Sequence, residues 1–277
     1  MRIMLDKLRD IHNFIDDIIV HTTDWDTHVV RLRQLFEKVR DAHVTIEPTK
    51  TFLGYFNIDF LGFNIAQQTL GMMDKTVEKM LNITQPKTKK QLRGMIGLLS
   101  YYRRFIPRYS EIIAPITALT KKKSKIEWGA DQQNAYEILC KIIKSKPIVK
   151  LPDINKTFHL FTDASDNAVS AALCQEYQGV FHPVSFASKK LNNAEMNYPI
   201  VEKECLAIIF GCDKFYVYLY GKEFVLHINN QALSFMKTHK TVNRRVMRWI
   251  LALQNLSFRI ELIQSEENKL ADFLSRM

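Results

Sequence analysis

QPKTKKQLRGMIGLLSYYRRFIPRYSEIIAPITALTKK, residues Gln85 to Lys122, carries several signals at once. Pro86-Lys87-Thr88 opens a helical unit, and Thr88 with Gln91 has the spacing of a capping box. Leu92, Met95, Ile96, Leu99, Tyr102 and Phe105 recur at helical intervals and form one apolar stripe. Pro107 ends that helix, and Tyr109 to Leu119 reads as another, kinked at Pro115. The positions left over are basic. From Gln85 to Lys125 there are eleven Lys/Arg and one acid, Glu111, so this segment's net +10 equals the excess of the whole chain. The reading is a small helical bundle with Lys and Arg outside. Such a face contacts phosphate rather than base edges and carries little sequence information.

The rest of the composition is consistent with that. The chain has 277 residues, 47% of them hydrophobic, enough for one to three domains with real cores. A pI near 9.3 points to a polyanionic partner. The four cysteines (140, 174, 205, 212) have neither metal nor disulfide-framework spacing and read as reduced, buried thiols. No apolar run reaches about 18 residues, and no signal peptide opens the chain. No membrane partner and no secretion are expected. The expected location is intracellular: cytoplasm, virus-like particles or nucleus. Both ends are abrupt, as in a fragment.

Upstream, NFIDDIIV (Asn13 to Val20) places two carboxylates inside an apolar, β-branched run. Strand, Asp-Asp tip, strand is the expected local structure. Asp16 and Asp17 are turn residues on the simplest reading, or paired carboxylates for a divalent metal. A helix over 24–42 follows, with Leu32, Leu35, Phe36 and Val39 on one face and Thr23 or Asp24 as N-cap. Short strands fill 44–65.

Downstream, Trp128 to Lys146 is one more helix, and Ser145-Lys146-Pro147 marks a boundary. Phe158 to Thr162 is a strand that delivers Asp163. Strands are expected at 171–174, 180–187, 224–228 and 257–264. Helices are expected at 200–218, with Pro199 at its first position, at 243–255 and at 269–276. Three hairpin strands, a helix, a strand, a helix and a strand make a mixed α/β sheet. Glu204 lies within a helix and Asp272 at the start of the last one. A fold that gathers them with Asp163 would build an acidic cluster able to hold two Mg²⁺; surface and helix-cap Asp are the plainer readings.

These segments resemble a known family. FIDDIIVHT looks like the Tyr-x-Asp-Asp motif of reverse transcriptases, and Phe60-Leu61-Gly62 is similar to the FLG that closes the palm in gypsy-class LTR retrotransposons and retroviruses. Gln85 to Lys122, with Tyr101-Tyr102-Arg103-Arg104-Phe105-Ile106-Pro107, looks like that class's thumb. FTDASD, NYPIVEKECLAI and ADFLSR resemble ribonuclease H motifs. The likeness is colinear from about residue 10 to the end.

The resemblance implies an N-terminally truncated reverse transcriptase/ribonuclease H region of a Pol polyprotein, multidomain and α/β (α+β). Residues 1–72 would be the C-terminal part of the palm, 73–127 the thumb, 128–152 a connecting segment, and 153–277 a ribonuclease H-like mixed sheet flanked by helices. Asp16 and Asp17 would be the remnant of the polymerase site. Asp163, Glu204 and Asp272 would be ribonuclease H acids and ligands of Mg²⁺ or Mn²⁺ in a two-metal site. Lys89, Lys90, Arg93, Arg103 and Arg104 would face an RNA/DNA hybrid. A homodimer or the remainder of a Pol polyprotein are the protein partners it admits.

The family pattern breaks in three places. The earlier palm aspartate, the fingers and the nucleotide-binding residues all precede the two-Asp motif in the family, and this chain starts only about fifteen residues ahead of it. Phe14 stands for the usual Tyr. The fourth ribonuclease H acid is replaced by Asn229, which keeps a carbonyl oxygen but no charge, where hard Mg²⁺ wants anionic oxygen. The expected loss in rate is at least about 10²-fold, roughly 3 kcal/mol of barrier. The family's glycines are Ala168 and Ser170, and its Pro-Gly is Gln264-Ser265. The function expected is that of a hybrid-binding reverse transcriptase fragment with an incomplete polymerase site and an impaired ribonuclease H. The alternative is a non-catalytic nucleic-acid-binding fragment, domesticated or decayed.

Overall fold

The computed structural model describes residues 8–121, 126–228 and 244–262, and the chain divides into two units, Met1–Leu61 and Gly62–Met277.

The first unit opens with a hairpin. Strands β1 (Ile11–Phe14) and β2 (Asp17–Val20) pair antiparallel, with Phe14 opposite Asp17. The two-residue turn is therefore Ile15-Asp16, not the Asp pair. Ile15 takes the left-handed conformation (φ 56) that this tight turn needs. Helix α1 (Trp25–Asp41) starts at Asp24, whose carboxylate accepts from Thr27 N at 2.8 Å. Leu35 and Val39 bury against Ile11, while Phe36 of the expected stripe stays exposed. A short strand, β3 (Asn57–Phe60), ends this unit's regular structure.

The second unit begins with the antiparallel strands β4 (Phe63–Ala66), β5 (Thr69–Met72) and β6 (Val149–Lys150), joined in that order. Among the described residues, five α-helices lie between β5 and β6: α2 (Asp74–Leu81), α3 (Lys89–Tyr101), α4 (Tyr109–Ile112), α5 (Ala114–Ala118) and α6 (Ala130–Lys144). The Thr88/Gln91 capping box forms as expected. Leu92, Met95, Leu99, Tyr102 and Phe105 are buried in one core with Leu139 and Ile143 of α6. Sequence reading did not anticipate α2. Pro115 does not kink one helix: it lies in the first turn of α5, where its missing N–H is harmless, so 109–119 is two short helices.

The last sheet has the order β11-β10-β7-β8-β9. Strands β7 (Phe158–Ala164), β8 (Ala168–Tyr177) and β9 (Val180–Lys190) form an antiparallel meander. Strand β10 (Glu223–Ile228) runs parallel to β7, and β11 (Ser257–Leu262) parallel to β10. Between them come α7 (Asn193–Met196), α8 (Ile200–Lys214), α9 (Tyr216–Leu219) and α10 (Arg244–Leu253). Pro199 is the N-cap of α8 rather than its first residue, and the helix expected over 200–218 breaks at Phe215. Leu160, Ala171, Leu173, Phe224 and Leu226 face Cys205, Ile208 and Cys212 of α8. Gly211 lets α8 approach the sheet: a Cβ there would lie 3.1 Å from Ala171 Cβ and 3.2 Å from Thr162 Cγ2.

Candidate functional site

Asp163 is delivered by strand alternation. Leu160 faces α8, so Phe161 and Asp163 turn to the opposite face. The registers Asp163↔Ser170 and Ser170↔Ser188 set a polar row across β7, β8 and β9. The segment after α3 is docked at this row. Ser110 N donates to Ser188 Oγ and Ser110 Oγ donates to Ser188 O, both at 2.8 Å. A small cavity there is lined by Pro107 and Arg108 together with Asp163, Ser170 and Phe186. Arg108 has φ 52, a left-handed conformation costing about 1 kcal/mol for a residue with a Cβ.

Glu204 is half-buried in the second turn of α8. Its neighbours anchor that helix end. Glu202 is buried and meets Arg245 of α10 at 2.6 Å, and the Arg245 guanidinium stacks 3.8 Å over the Tyr198 ring. Lys203 is also buried, and its Nζ donates to Asp166 O at 3.1 Å, in the turn that follows β7. The turn three residues beyond Asp163 and the Glu204 helix are thus tied through Lys203, the neighbour of Glu204. Sequence reading passed over Lys203, because nothing in a sequence says that one lysine of a helix is buried.

Asp272 and Asn229 lie outside the described residues, as do Gln264 and Ser265; β10 ends at Ile228, one residue before Asn229. Among the described residues no group of three or more His, Cys, Asp or Glu side chains could hold a metal ion. Asp163 and Glu204 supply the hard oxygen donors that Mg²⁺ or Mn²⁺ prefers. Asp16 and Asp17 are exposed at the β1–β2 hairpin in the first unit.

The basic residues of 89–104 separate into groups. Lys89 Nζ donates to Leu119 O (2.9 Å) and Lys121 O (2.6 Å), bracing the bundle. Lys90 and Arg93 are exposed on α3, and Arg103 is exposed beyond it. Arg104 is half-buried, with its Nε shielded from solvent. Lys90, Arg93, Gly94, Gly97 and Tyr101 share one face of α3 by helical spacing. A Cβ added at Gly94 or Gly97 would meet nothing within 4 Å. Each glycine costs a helix interior about 1 kcal/mol relative to alanine.

Buried groups elsewhere are held neutral. Burial pushes the thiols of Cys205 and Cys212 up to about 12 and raises that of Cys174 as well. Burial, then the neighbouring His159, pushes His227 down to about 4, so its 3.7 Å approach to Glu261 is not an ion pair near neutral pH.

A family described as the RNase H-like domain found in reverse transcriptase matches residues 153–256. The chain is 34% identical over 265 residues to the retrovirus-related Pol polyprotein from transposon 297 of Drosophila melanogaster, covering 95% of this chain and 25% of that protein. It is 32% identical over 276 residues to the Pol polyprotein from transposon opus of the same organism, covering 95% and 28%. It is 31% identical over 269 residues to the transposon Tf2-3 polyprotein of Schizosaccharomyces pombe, covering 95% and 20%. The chain thus spans about a quarter of the length of the curated relatives it matches. Among solved structures, the foamy viral protease-reverse transcriptase in complex with RNA/DNA hybrid aligns with a TM-score of 0.81 at 22% identity, covering 95% of this chain and 37% of that one. The same protein in complex with dsDNA aligns with a TM-score of 0.82 at 23% identity, covering 95% and 56%.

Proposed function

The chain belongs to the reverse transcriptase/ribonuclease H family of gypsy-class retrotransposon Pol polyproteins, and from that premise we propose that it binds an RNA/DNA hybrid and cleaves the RNA strand slowly, if at all. The observation that carries the binding reading is the open face of α3. Lys90 and Arg93 supply charge for phosphate there, and Gly94 and Gly97 leave room for a close approach that no part of the described chain uses. Two helix-interior glycines on an exposed surface have no packing against the described residues to explain them.

In this reading residues 1–72 are palm, 73–127 thumb, 128–152 connecting segment and 153–277 ribonuclease H-like domain. Asp16 and Asp17 would be the paired aspartates of the polymerase site. Asp163 and Glu204, with Asp272, would hold Mg²⁺ or Mn²⁺, which when bound activates water and offsets the charge developing on the phosphate. Glu204 helps orient the attacking water. Asn229 supplies a neutral oxygen where a carboxylate is expected, which leaves the acid set one charge short. A second reading, a hybrid-binding module without chemistry, is favoured by that same Asn229.

The test is cleavage of a labelled RNA/DNA hybrid with Mg²⁺ or Mn²⁺ by this chain and by its Asn229→Asp variant, with binding followed against salt. The expected result is salt-dependent binding by both, and cleavage at least about 10²-fold faster in the variant. Binding by both without cleavage by either would leave the module reading. Absence of binding near 50 mM salt, where phosphate contacts are strongest, would overturn both.

A further inference from the structure

Arg108 sits in a conformation that favours glycine or asparagine, and the chain around it does not reward an arginine. Its φ is 52. Its Nε donates to Glu111 Oε2 at 2.8 Å, an exposed pair of the kind that contributes little. Its Nη groups make no hydrogen bond among the described residues. Yet the backbone on both sides is fixed. Ile106 and Tyr109 are buried, and Ser110 is bonded twice to Ser188. The strained residue is therefore held rigidly at the polar row, lining one cavity with Asp163 and Ser170.

We propose that Arg108 contacts a phosphate of the nucleic acid where the strand passes Asp163, so that the thumb segment contributes a binding residue to the nuclease site. This rests on the hybrid-binding reading above. The chemistry is complementary. A carboxylate at Asp163 repels a phosphodiester, and a guanidinium lining the same cavity offsets that repulsion with donors whose planar fork matches two phosphate oxygens. The ion pair to Glu111 occupies Nε and leaves the Nη edge of the fork available.

Strain makes the proposal separable from a structural role. Arg108→Asn suits the left-handed backbone, so it should raise Tm by about 2 °C. The same change should weaken binding of a fluorescently labelled RNA/DNA hybrid about 5- to 20-fold near 100 mM salt and make the log–log salt slope shallower by about 1. Glu111→Gln, which removes the ion pair and keeps the guanidinium, should bind nearly as the parent does. Unchanged affinity and slope in Arg108→Asn, with the parent binding, would overturn this inference alone. So would an equal loss in Glu111→Gln, which would assign the effect to the ion pair. Absence of binding by the parent would remove the hybrid reading and this inference with it.

Discussion

Lys203, buried in the first turn of α8, donates to the carbonyl of Asp166 at 3.1 Å and lies 3.5 Å from that residue's exposed carboxylate. A lysine adjacent to Glu204 thereby grips the turn three residues beyond Asp163. Both carbon-bound ends of the clamp sit on the elements that deliver the two acids, so its first effect is on their registry.

Lys203→Met keeps the length and apolar stem of the side chain and removes the ammonium. Removing one partner of a buried charge pair is costly when it strands the other in the interior, but the Asp166 carboxylate left behind is 90% exposed. Tm should therefore stay within about 2 °C, a change of under about 1 kcal/mol. In the Asn229→Asp chain, hybrid cleavage should nevertheless slow about tenfold, as expected when catalytic groups lose their positioning. Single-turnover kinetics with a melting curve on the same sample makes the comparison. A rate equal to that of the parent would show that the clamp has no part in aligning the acids.

The α8–sheet contact gives a second outcome. A Cβ at Gly211 would lie 3.1 Å from Ala171 Cβ, 3.2 Å from Thr162 Cγ2 and 3.3 Å from Leu160 Cδ1. Three atoms on two adjacent strands cannot all yield without moving the helix. Gly211→Val should destabilise the second unit by about 3 kcal/mol, toward the upper range for overpacking, despite the low helix propensity of glycine. Urea unfolding followed by circular dichroism measures it. A midpoint within error of the parent's would mean that α8 can shift away from the sheet freely.

Much of this architecture was legible because it depends on neighbours in sequence. Leu92, Met95 and Leu99 repeat at helical spacing and bury together, and Thr88 caps through Gln91, three residues away. The strand before Asp163 and its mixed-sheet setting follow from β-branched and aromatic runs. The errors arise where one residue's conformation decides. Ile15 adopts a positive φ, which moves the hairpin tip one residue from the Asp pair. Pro115 starts a helix instead of bending one. The site was less legible than the fold. That Lys89 braces carbonyls of its own bundle, that Lys203 is buried, and that Ser110 docks on Ser188 are tertiary facts without a local pattern. Charge counting treats every lysine of a basic segment alike, and only the packed chain separates a strut from an open contact.

A buried histidine pair on the Asp163 face of the sheet sets the last outcome. His159 Nδ1 and His227 Nε2 share a hydrogen bond of 3.0 Å, and Phe161 stacks on His227 with ring centroids 4.1 Å apart. Burial, then His159, holds His227 down to about 4. Burial also lowers His159, opposed by Glu176 and Glu261 and reinforced by Arg259. An unfolded histidine titrates near 6.5. Between pH 6.5 and 4 the unfolded chain therefore binds more protons than the folded one, and stability falls as the pH drops through that window. The His227 contribution is constant above it and amounts to at most roughly 3 kcal/mol across it. Urea midpoints measured from pH 7 to pH 5, above the range where most carboxylates titrate, should fall steadily. His227→Phe, which retains a ring against Phe161, should flatten that slope by about half, with the remainder coming from His159 and His182, which burial also lowers. An unaltered slope in the variant would mean that His227 is not the group whose protonation is linked to unfolding.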